Sequence, residues 1–293
     1  MERAKLRAHG ALMVMAVIWA VNFSIAKVAL EELSPLAFNA LRFPLAAALL
    51  YVVLRSRGTV PLPARAEWPR VLALGVLGNL LYQMCFIFGL DRTTAGNASL
   101  LLASTPMITA LLSAAVGHER VRPRVWLGVF ATFGGILLVV LGGHAQVEAG
   151  GNTLAGDLIM FGASLTWAFY TVGSRPLVER YGALPTTAWT LWIGTAGLVL
   201  AGLVDAVRTD LQQVSVLTWL AVLYAGVLSI GVAYIIWYYG VAVLGNTRTS
   251  TYSNVVPVIA LLTAWLVLGE VPTAAQIAGT AVILTGVSVA QSG

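Results

Sequence analysis

The sequence predicts an all-α polytopic membrane protein, with ten transmembrane helices arranged as two inverted five-helix repeats around a central cavity. Three observations carry that expectation. Of 293 residues, 59% are hydrophobic and 10% charged, with mean hydropathy +0.86; a soluble domain carries about 25% charge. Apolar stretches of roughly 17–25 residues, enough to cross a bilayer of about 30 Å, recur from end to end. The chain also repeats itself. Displaced by about 151 residues, Trp68 falls on Trp219, Gly75 on Gly226, Gly89 on Gly240 and Ser99 on Ser250. Pro106 falls on Pro257, Glu119 on Glu270, Gly128 on Gly279 and Gly135 on Gly286. At a slightly shorter offset Trp19-Ala20 falls on Trp167-Ala168. A repeat with an odd number of spans enters the membrane from opposite sides in its two copies. Such inverted pairs build one central site and open it alternately to each side. The halves are expected at 1–146 and 147–293.

The spans are expected near 9–30, 36–55, 69–90, 95–117, 124–142, 154–174, 185–204, 216–240, 247–268 and 274–291. The first follows Arg3, Lys5 and Arg7 and resembles a signal peptide; nine further spans and the lack of a clear small-residue cleavage site make it a span. Pro35 starts the second. Trp68, Trp126 and Trp219 suit the interfacial ends of the third, fifth and eighth. Pro106 and Pro257 lie near the middle of the fourth and ninth, at equivalent places. Proline removes a backbone donor and kinks a helix, so the two are candidate hinges; static packing is the alternative. Gly128, Gly134 and Gly135 in the fifth span, and Gly279 and Gly286 in the tenth, let helices approach closely. Connections are short, so no soluble domain is expected.

The net charge of +5 invites a nucleic-acid partner, but its placement argues against one. Arg3, Lys5 and Arg7 precede span 1. Arg55, Arg57, Arg65 and Arg70 lie between spans 2 and 3, Arg120, Arg122 and Arg124 between 4 and 5, Arg175 and Arg180 between 6 and 7, and Arg248 between 8 and 9. The alternate loops carry only Arg92 and Arg208. This asymmetry puts both termini in the cytoplasm.

Several chemistries lack their residues. Cys85 is the only cysteine, so no intramolecular disulfide forms, and it reads as a small core residue. His9, His118 and His144 have no carboxylate or histidine at metal-ligand spacing. No phosphate-binding glycine loop occurs. No metal and no cofactor is expected. The carboxylates, Asp157 and Glu270 among them, fall in loops or at span ends, so a mid-membrane proton relay is missing; either coupling runs through a terminal acid such as Asp157, or there is no obligatory ion coupling.

Two cations lie deep. Arg42 follows Pro35 by seven residues, roughly 10 Å inside span 2, and Lys27 lies near the same end of span 1. Either both snorkel or pair with Glu31 and Glu32, or they form a vestibule charge that attracts a substrate carboxylate. Neutral polar and aromatic groups are the stronger clue. Asn22, Asn79 and Gln83 are too far from helix ends to be interfacial, and a buried amide needs a partner or water. Trp19, Tyr82, Ser99, Trp167, Tyr170, Tyr234, Trp237, Tyr252 and Asn254 lie in the same six spans. Helix–helix hydrogen bonds could satisfy some. A wet, aromatic-walled cavity accounts for them together, and all twelve are candidate substrate-binding residues.

The run Trp19-Ala-Val-Asn22-Phe23…Lys27…Ser34-Pro35…Phe38…Leu41-Arg42-Phe43 is similar to the opening pattern of the EamA family within the drug/metabolite transporter superfamily. Ala98-Ser99…Pro106…Glu119-Arg120…Gly128…Gly135 resembles that family's half-repeat pattern, and Pro257…Leu268-Gly269-Glu270…Gln276…Gly279…Gly286 matches it more closely. His118 departs from it, standing where glycine is usual. The resemblance covers nearly the whole chain and is closest to aromatic and neutral amino-acid exporters. It implies a bacterial inner-membrane transporter, not an enzyme, with a cavity formed by spans 1–4 and 6–9 and with spans 5 and 10 peripheral. The expected partners are a small-molecule substrate and the lipid bilayer, and the chain is expected to act as a monomer. Export of a drug or other metabolite is the alternative. A membrane-embedded lipid enzyme would need a nucleophile, acid–base pair or metal that the inventory does not offer, and a receptor or pore has no need of two inverted halves.

Overall fold

The structure is a computed structural model that describes residues 2–58, 62–116, 123–143, 153–244, 249 and 251–291. The boundary between the halves at 146–147, and His118, Glu119, Arg120, Arg122, His144, Glu148, Arg248 and Ser250, lie outside the described residues.

Regular structure among the described residues is entirely helical. The helices are α1 (Glu2–Leu30), α2 (Pro35–Ser56), α3 (Arg65–Arg92), α4 (Ala95–Ala115) and α5 (Pro123–Gly143). They continue as α6 (Thr153–Tyr181), α7 (Ala183–Arg208), α8 (Val216–Leu244), α9 (Tyr252–Leu268) and α10 (Ala274–Gln291). Six of them, α1–α4, α7 and α8, are long and apolar enough to cross a bilayer. Shorter apolar runs occupy α5, α9 and α10. Two ends differ from the sequence expectation. Helix α1 starts at Glu2, so Arg3, Lys5 and Arg7 form an exposed helical extension of the first span. Helix α6 runs through Pro176 to Tyr181. Its last turn is anchored by Arg180 on Glu67, at 2.9 Å, and by the Tyr181 hydroxyl on the same carboxylate, contacts that outweigh the proline.

The helix starts follow side-chain chemistry. Ser34, Thr94 and Ser215 each turn a hydroxyl oxygen to the backbone N–H three residues on, at 3.1–3.2 Å, which satisfies an orphan donor of the first turn. Pro35 follows Ser34 at the first helical position, where its missing N–H costs nothing. Gly269, at φ 69°, ends α9 in the left-handed conformation, which glycine adopts without strain.

Irregular geometry occurs in matched pairs. Helix α3 widens into π-helical turns at Val76–Leu81 and α8 does so at Tyr224–Val232; displaced by about 151 residues, the first segment falls inside the second. Helix α4 breaks at Ala103-Ser104 and resumes at Thr105. Helix α9 changes from a 3-10 turn, Thr251–Val255, to an α-helix at Val256. The residues at the two changes have nearly the same backbone, φ −74° and ψ −17° at Ser104, φ −80° and ψ −23° at Val255. Pro106 and Pro257 therefore sit in the first turn of a new helical segment rather than inside a kinked helix. Proline is tolerated there.

Packing follows the same pairing. Helix α5 lies along α10, and α2 along α7. Helix α1 packs on α8 as α6 packs on α3; α1 on α9 as α6 on α4; and α2 on α8 as α7 on α3. Shifting every helix number by five exchanges the members of each pair. The α5–α10 contact is drawn tight by crossed glycines. A β-carbon on Gly135 would come within 2.9 Å of the Gly279 carbonyl, and one on Gly286 within 2.7 Å of the Gly128 carbonyl. Small residues are what allow backbones in a membrane to meet this closely.

Gly279→Leu is expected to lower stability by about 1–3 kcal/mol through overpacking, read as a lower melting temperature in detergent. Its β-carbon would also lie 2.6 Å from Val139, so adding Val139→Ala should recover only part of the loss. An unchanged melting temperature would show that the seam does not hold α5 to α10.

Candidate functional site

Four helices bring aromatic side chains to one place. On α1, Trp19 lies 5.6 Å from Trp237 and edge-on to Tyr234 at 6.5 Å, both on α8. On α6, Trp167 lies 4.8 Å from Tyr82 of α3, 5.1 Å from Tyr170 and 6.4 Å from Tyr234. Tyr234 thus stands between the two tryptophans that the repeat makes equivalent. Tyr82 continues to Phe86, and Phe86 to Phe23 of α1, at 6.2 and 5.7 Å. Trp19, Tyr82, Trp167, Tyr234 and Trp237 come together here and are each half-buried. Tyr170 is buried; its hydroxyl meets Thr190 of α7 at 3.1 Å, and its ring presses on Gly78, where any β-carbon would lie 2.2 Å from it.

The π-helical turns sit directly before Tyr82 and Tyr234. A π turn shifts the hydrogen-bond register and leaves carbonyls open to other donors. Trp19 uses one, donating its indole N–H to the Ser229 carbonyl at 2.9 Å, while Tyr224 donates to the Ile18 carbonyl at 3.0 Å. Helix α1 is thereby locked in rotation against α8, with Trp19 directed at the cluster.

Arg42 lies beside this cluster rather than in a vestibule. It is 1% exposed. It does not snorkel, and among the described residues no carboxylate pairs with it. Its Nε donates to Asn39 Oδ1 at 3.0 Å and its terminal nitrogen to Gln83 Oε1 at 2.9 Å, while Asn39 Nδ2 donates to the Gln83 carbonyl at 3.3 Å. The rings of Phe38, Phe43 and Phe86 lie 4.6–5.7 Å from the guanidinium carbon. A charge in mid-membrane costs about 2.5–3.5 kcal/mol on insertion scales, so neutral amides and ring faces are modest compensation. Asn22 Oδ1 and Asn79 Nδ2 are buried with no hydrogen-bond partner among the described residues.

Lys27 is half-buried in a cleft of about 320 Å³ shared with Leu30, Glu31, Asp91, Leu268 and Glu270. Glu270 caps the start of α4, accepting from Ala95 N and Gly96 N at 3.0 and 3.1 Å. Beside it, buried Asp157 accepts from the Thr93 hydroxyl and from Asn97, whose carbonyl oxygen accepts from Gln276 at 2.8 Å. This end of the bundle is therefore tied across α4, α6 and α10. At the other end of α1, His9 is hydrogen-bonded to Tyr252. Among the described residues Tyr252 pairs with the His9 ring rather than with the rings around Trp167, and it packs against the cluster of Leu12, Met15 and Ala233. Asn254 is half-buried in the same turn of α9. Ser99 returns its hydroxyl to the Gly96 carbonyl at 2.8 Å.

Sequence reasoning missed Asn39, Phe86 and Thr190. Asn39 stands one helical turn before Arg42, a spacing that places both on one face, so that signal was present. No sequence pattern announces Gln83 as the partner, because that contact depends on how α2 and α3 pack.

A family model described as the EamA-like transporter family matches residues 6–141 and again 154–290. An "Uncharacterized transporter" of Archaeoglobus fulgidus is 30% identical over 286 residues, covering 96% of each chain. The "Probable terminal-alkyne amino-acid exporter" of Streptantibioticus cattleyicolor is 27% identical over 96% of this chain and 92% of that protein. A protein of known crystal structure superposes with TM-score 0.68 at 22% identity, over 99% of this chain and 96% of that one, a likeness of fold.

Trp167→Ala removes contacts to Tyr82, Tyr170 and Tyr234. A substrate ring that loses Trp167 forfeits one aromatic pair, about 0.5–1.5 kcal/mol, so substrate affinity is expected to fall about two- to tenfold in a binding titration. Phe169→Ala, on an exposed neighbour, should leave affinity unchanged. Equal effects of the two would mark Trp167 as packing alone.

Proposed function

We propose that this chain, which belongs to the EamA-like transporter family, is a secondary transporter that exports amino acids or related small metabolites by alternating access. The observation that carries this reading is the half-buried aromatic cluster supplied by α1, α3, α6 and α8, two helices from each half. Its walls suit a small molecule with an apolar or aromatic part, and a relative over nearly the whole chain is named as an amino-acid exporter.

The ten helices are read as ten spans in two inverted halves, 1–146 and 147–293. The doubled family match, the matched π turns and helix changes and the exchangeable packing pairs support that division. The arginine distribution supports cytoplasmic termini, in the inner membrane of a bacterium. Described acids lie at span ends, and Asp157 is engaged with Thr93 and Asn97. Transport is accordingly read as exchange or uniport down the substrate gradient, by a monomer. The ties at the start of α4 and the His9–Tyr252 contact lie at opposite ends of the bundle, since 18 residues of helix span about 27 Å; each is a closure for one facing state.

Proteoliposomes preloaded with unlabelled amino acids should take up labelled substrate faster than empty ones, and uptake should saturate. Uptake that neither saturates nor accelerates with internal substrate would point to a pore-like path. Uphill uptake driven by a pH gradient and abolished by Asp157→Asn would overturn the uncoupled reading.

Pro106→Ala restores an N–H that can reach the Leu102 carbonyl and continue α4 across its break. It is expected to slow turnover more than it weakens binding and to favour one facing state; Pro257→Ala should favour the other. Labelling of single cysteines at the two mouths reads the bias, and unchanged labelling in both variants would leave the prolines as static features.

A further inference from the structure

We propose that Arg42 receives the carboxylate of the transported molecule, so that the substrates are amino acids or other monocarboxylates with an apolar or aromatic remainder; this rests on the transporter reading above. Among the described residues the buried charged groups are Arg42 and Asp157. They are held apart: Gln83, which binds Arg42, and Thr93, which binds Asp157, are separated by ten residues, about 15 Å along α3. Arg42 therefore stands as a cation in the interior, with neutral amides for company.

Its setting is that of a receptor rather than of a closed ion pair. Two of the five N–H groups that a guanidinium carries are engaged by Asn39 and Gln83. Asn39 lies one turn earlier on the same helix, and with the flanking phenylalanine rings it fixes the plane of the fork. Gln83 Oε1, at 2.9 Å, occupies the place of one oxygen of a carboxylate. A carboxylate would replace that single neutral acceptor with two charged ones in the bidentate geometry that arginine favours, and would cancel the buried charge.

The position fits the rest of the cluster. Phe86 is shared: its ring lies 5.7 Å from the Arg42 guanidinium carbon and 6.2 Å from the Tyr82 ring. Gln83 follows Tyr82 on α3, and the Tyr82 ring lies tilted against Trp167 at 4.8 Å. A molecule whose carboxylate reaches Arg42 thus sets its remainder against Tyr82 and Trp167. The ammonium of an amino acid would lie against these ring faces.

The competing account is that Arg42 only bolts α2 to α3. Gln83→Glu separates the two, because it supplies a permanent internal carboxylate at the distance already observed. The probes are L-phenylalanine, phenylacetate and L-phenylalaninamide, titrated by tryptophan fluorescence against purified protein. Wild type should bind both carboxylates and discriminate against the amide. Gln83→Glu should stay folded, with a melting temperature no lower than wild type, and lose at least about tenfold in affinity for both carboxylates. Arg42→Lys should keep the discrimination with weaker binding, and Arg42→Gln, where it folds, should lose it. Wild type binding acid and amide alike, wild type binding no carboxylate, or a folded Gln83→Glu with undiminished carboxylate affinity would each overturn the proposal. Carboxylate binding that is lost in Gln83→Glu, in a wild-type protein that transports none of these compounds, would strike the transporter reading alone.

Discussion

The bilayer offers no hydrogen bonds, and the structure is organised by that scarcity. Every backbone polar group within a span must find its partner in the protein, and most side-chain ones do. Thr109, Thr166, Thr171 and Thr285 turn their hydroxyls back to carbonyls three or four residues earlier, which silences them locally. Irregular backbone is more demanding, and in α4 and α8 it is covered by a neighbour. The carbonyl of Leu101, at the break in α4, accepts from Ser104 and from Ser164 of α6 at 2.6 and 3.1 Å. The widened turns of α8 accept the indole of Trp19. The same rule that makes a straight helix the default makes these covered exceptions informative, because each draws a second helix into a fixed position.

Much of this was legible in the sequence. Helix ends fell close to expectation because apolar length, Ser34-Pro35 and the paired glycines are local signals. The seam between α5 and α10 follows from Gly128, Gly135, Gly279 and Gly286, which the repeat had already paired. The aromatic candidates were legible as well: Trp19, Tyr82, Trp167, Tyr170, Tyr234 and Trp237 do meet. Ser99 turns its hydroxyl to the Gly96 carbonyl; a hydroxyl on a helix has its own backbone within reach, and sequence does not say which way it turns. Tyr252 was placed by depth alone, which does not distinguish the two faces of α9.

What sequence could not convey is pairing across helices. For Arg42 the sequence left three readings open: snorkelling, pairing with Glu31 and Glu32, or a vestibule charge. The packing of α2 on α3 gave it Gln83 and three phenylalanine rings instead. Pro106 and Pro257 were expected to bend continuous helices, and each instead opens a fresh segment. The π turns left no trace in composition; their matched positions emerge only when the backbone is laid out.

The two halves are alike in backbone but not in chemistry where it counts. Displaced by about 151 residues, Gln83 becomes Tyr234: one holds a guanidinium, the other stands between tryptophans. At the shorter offset, His9 becomes Asp157, so an imidazole closes one end and a carboxylate the other. In a carrier whose facing states are exchanged by a two-fold, identical halves would make those states equal in free energy. Under the alternating-access reading proposed above, these substitutions would remove that degeneracy and tilt the resting population to one side of the membrane. Half-saturation would then differ between the two faces, and microscopic reversibility would oblige the maximal rates to differ in the same ratio. Without a coupled ion such a carrier would be fast and slow by direction of approach yet move nothing uphill.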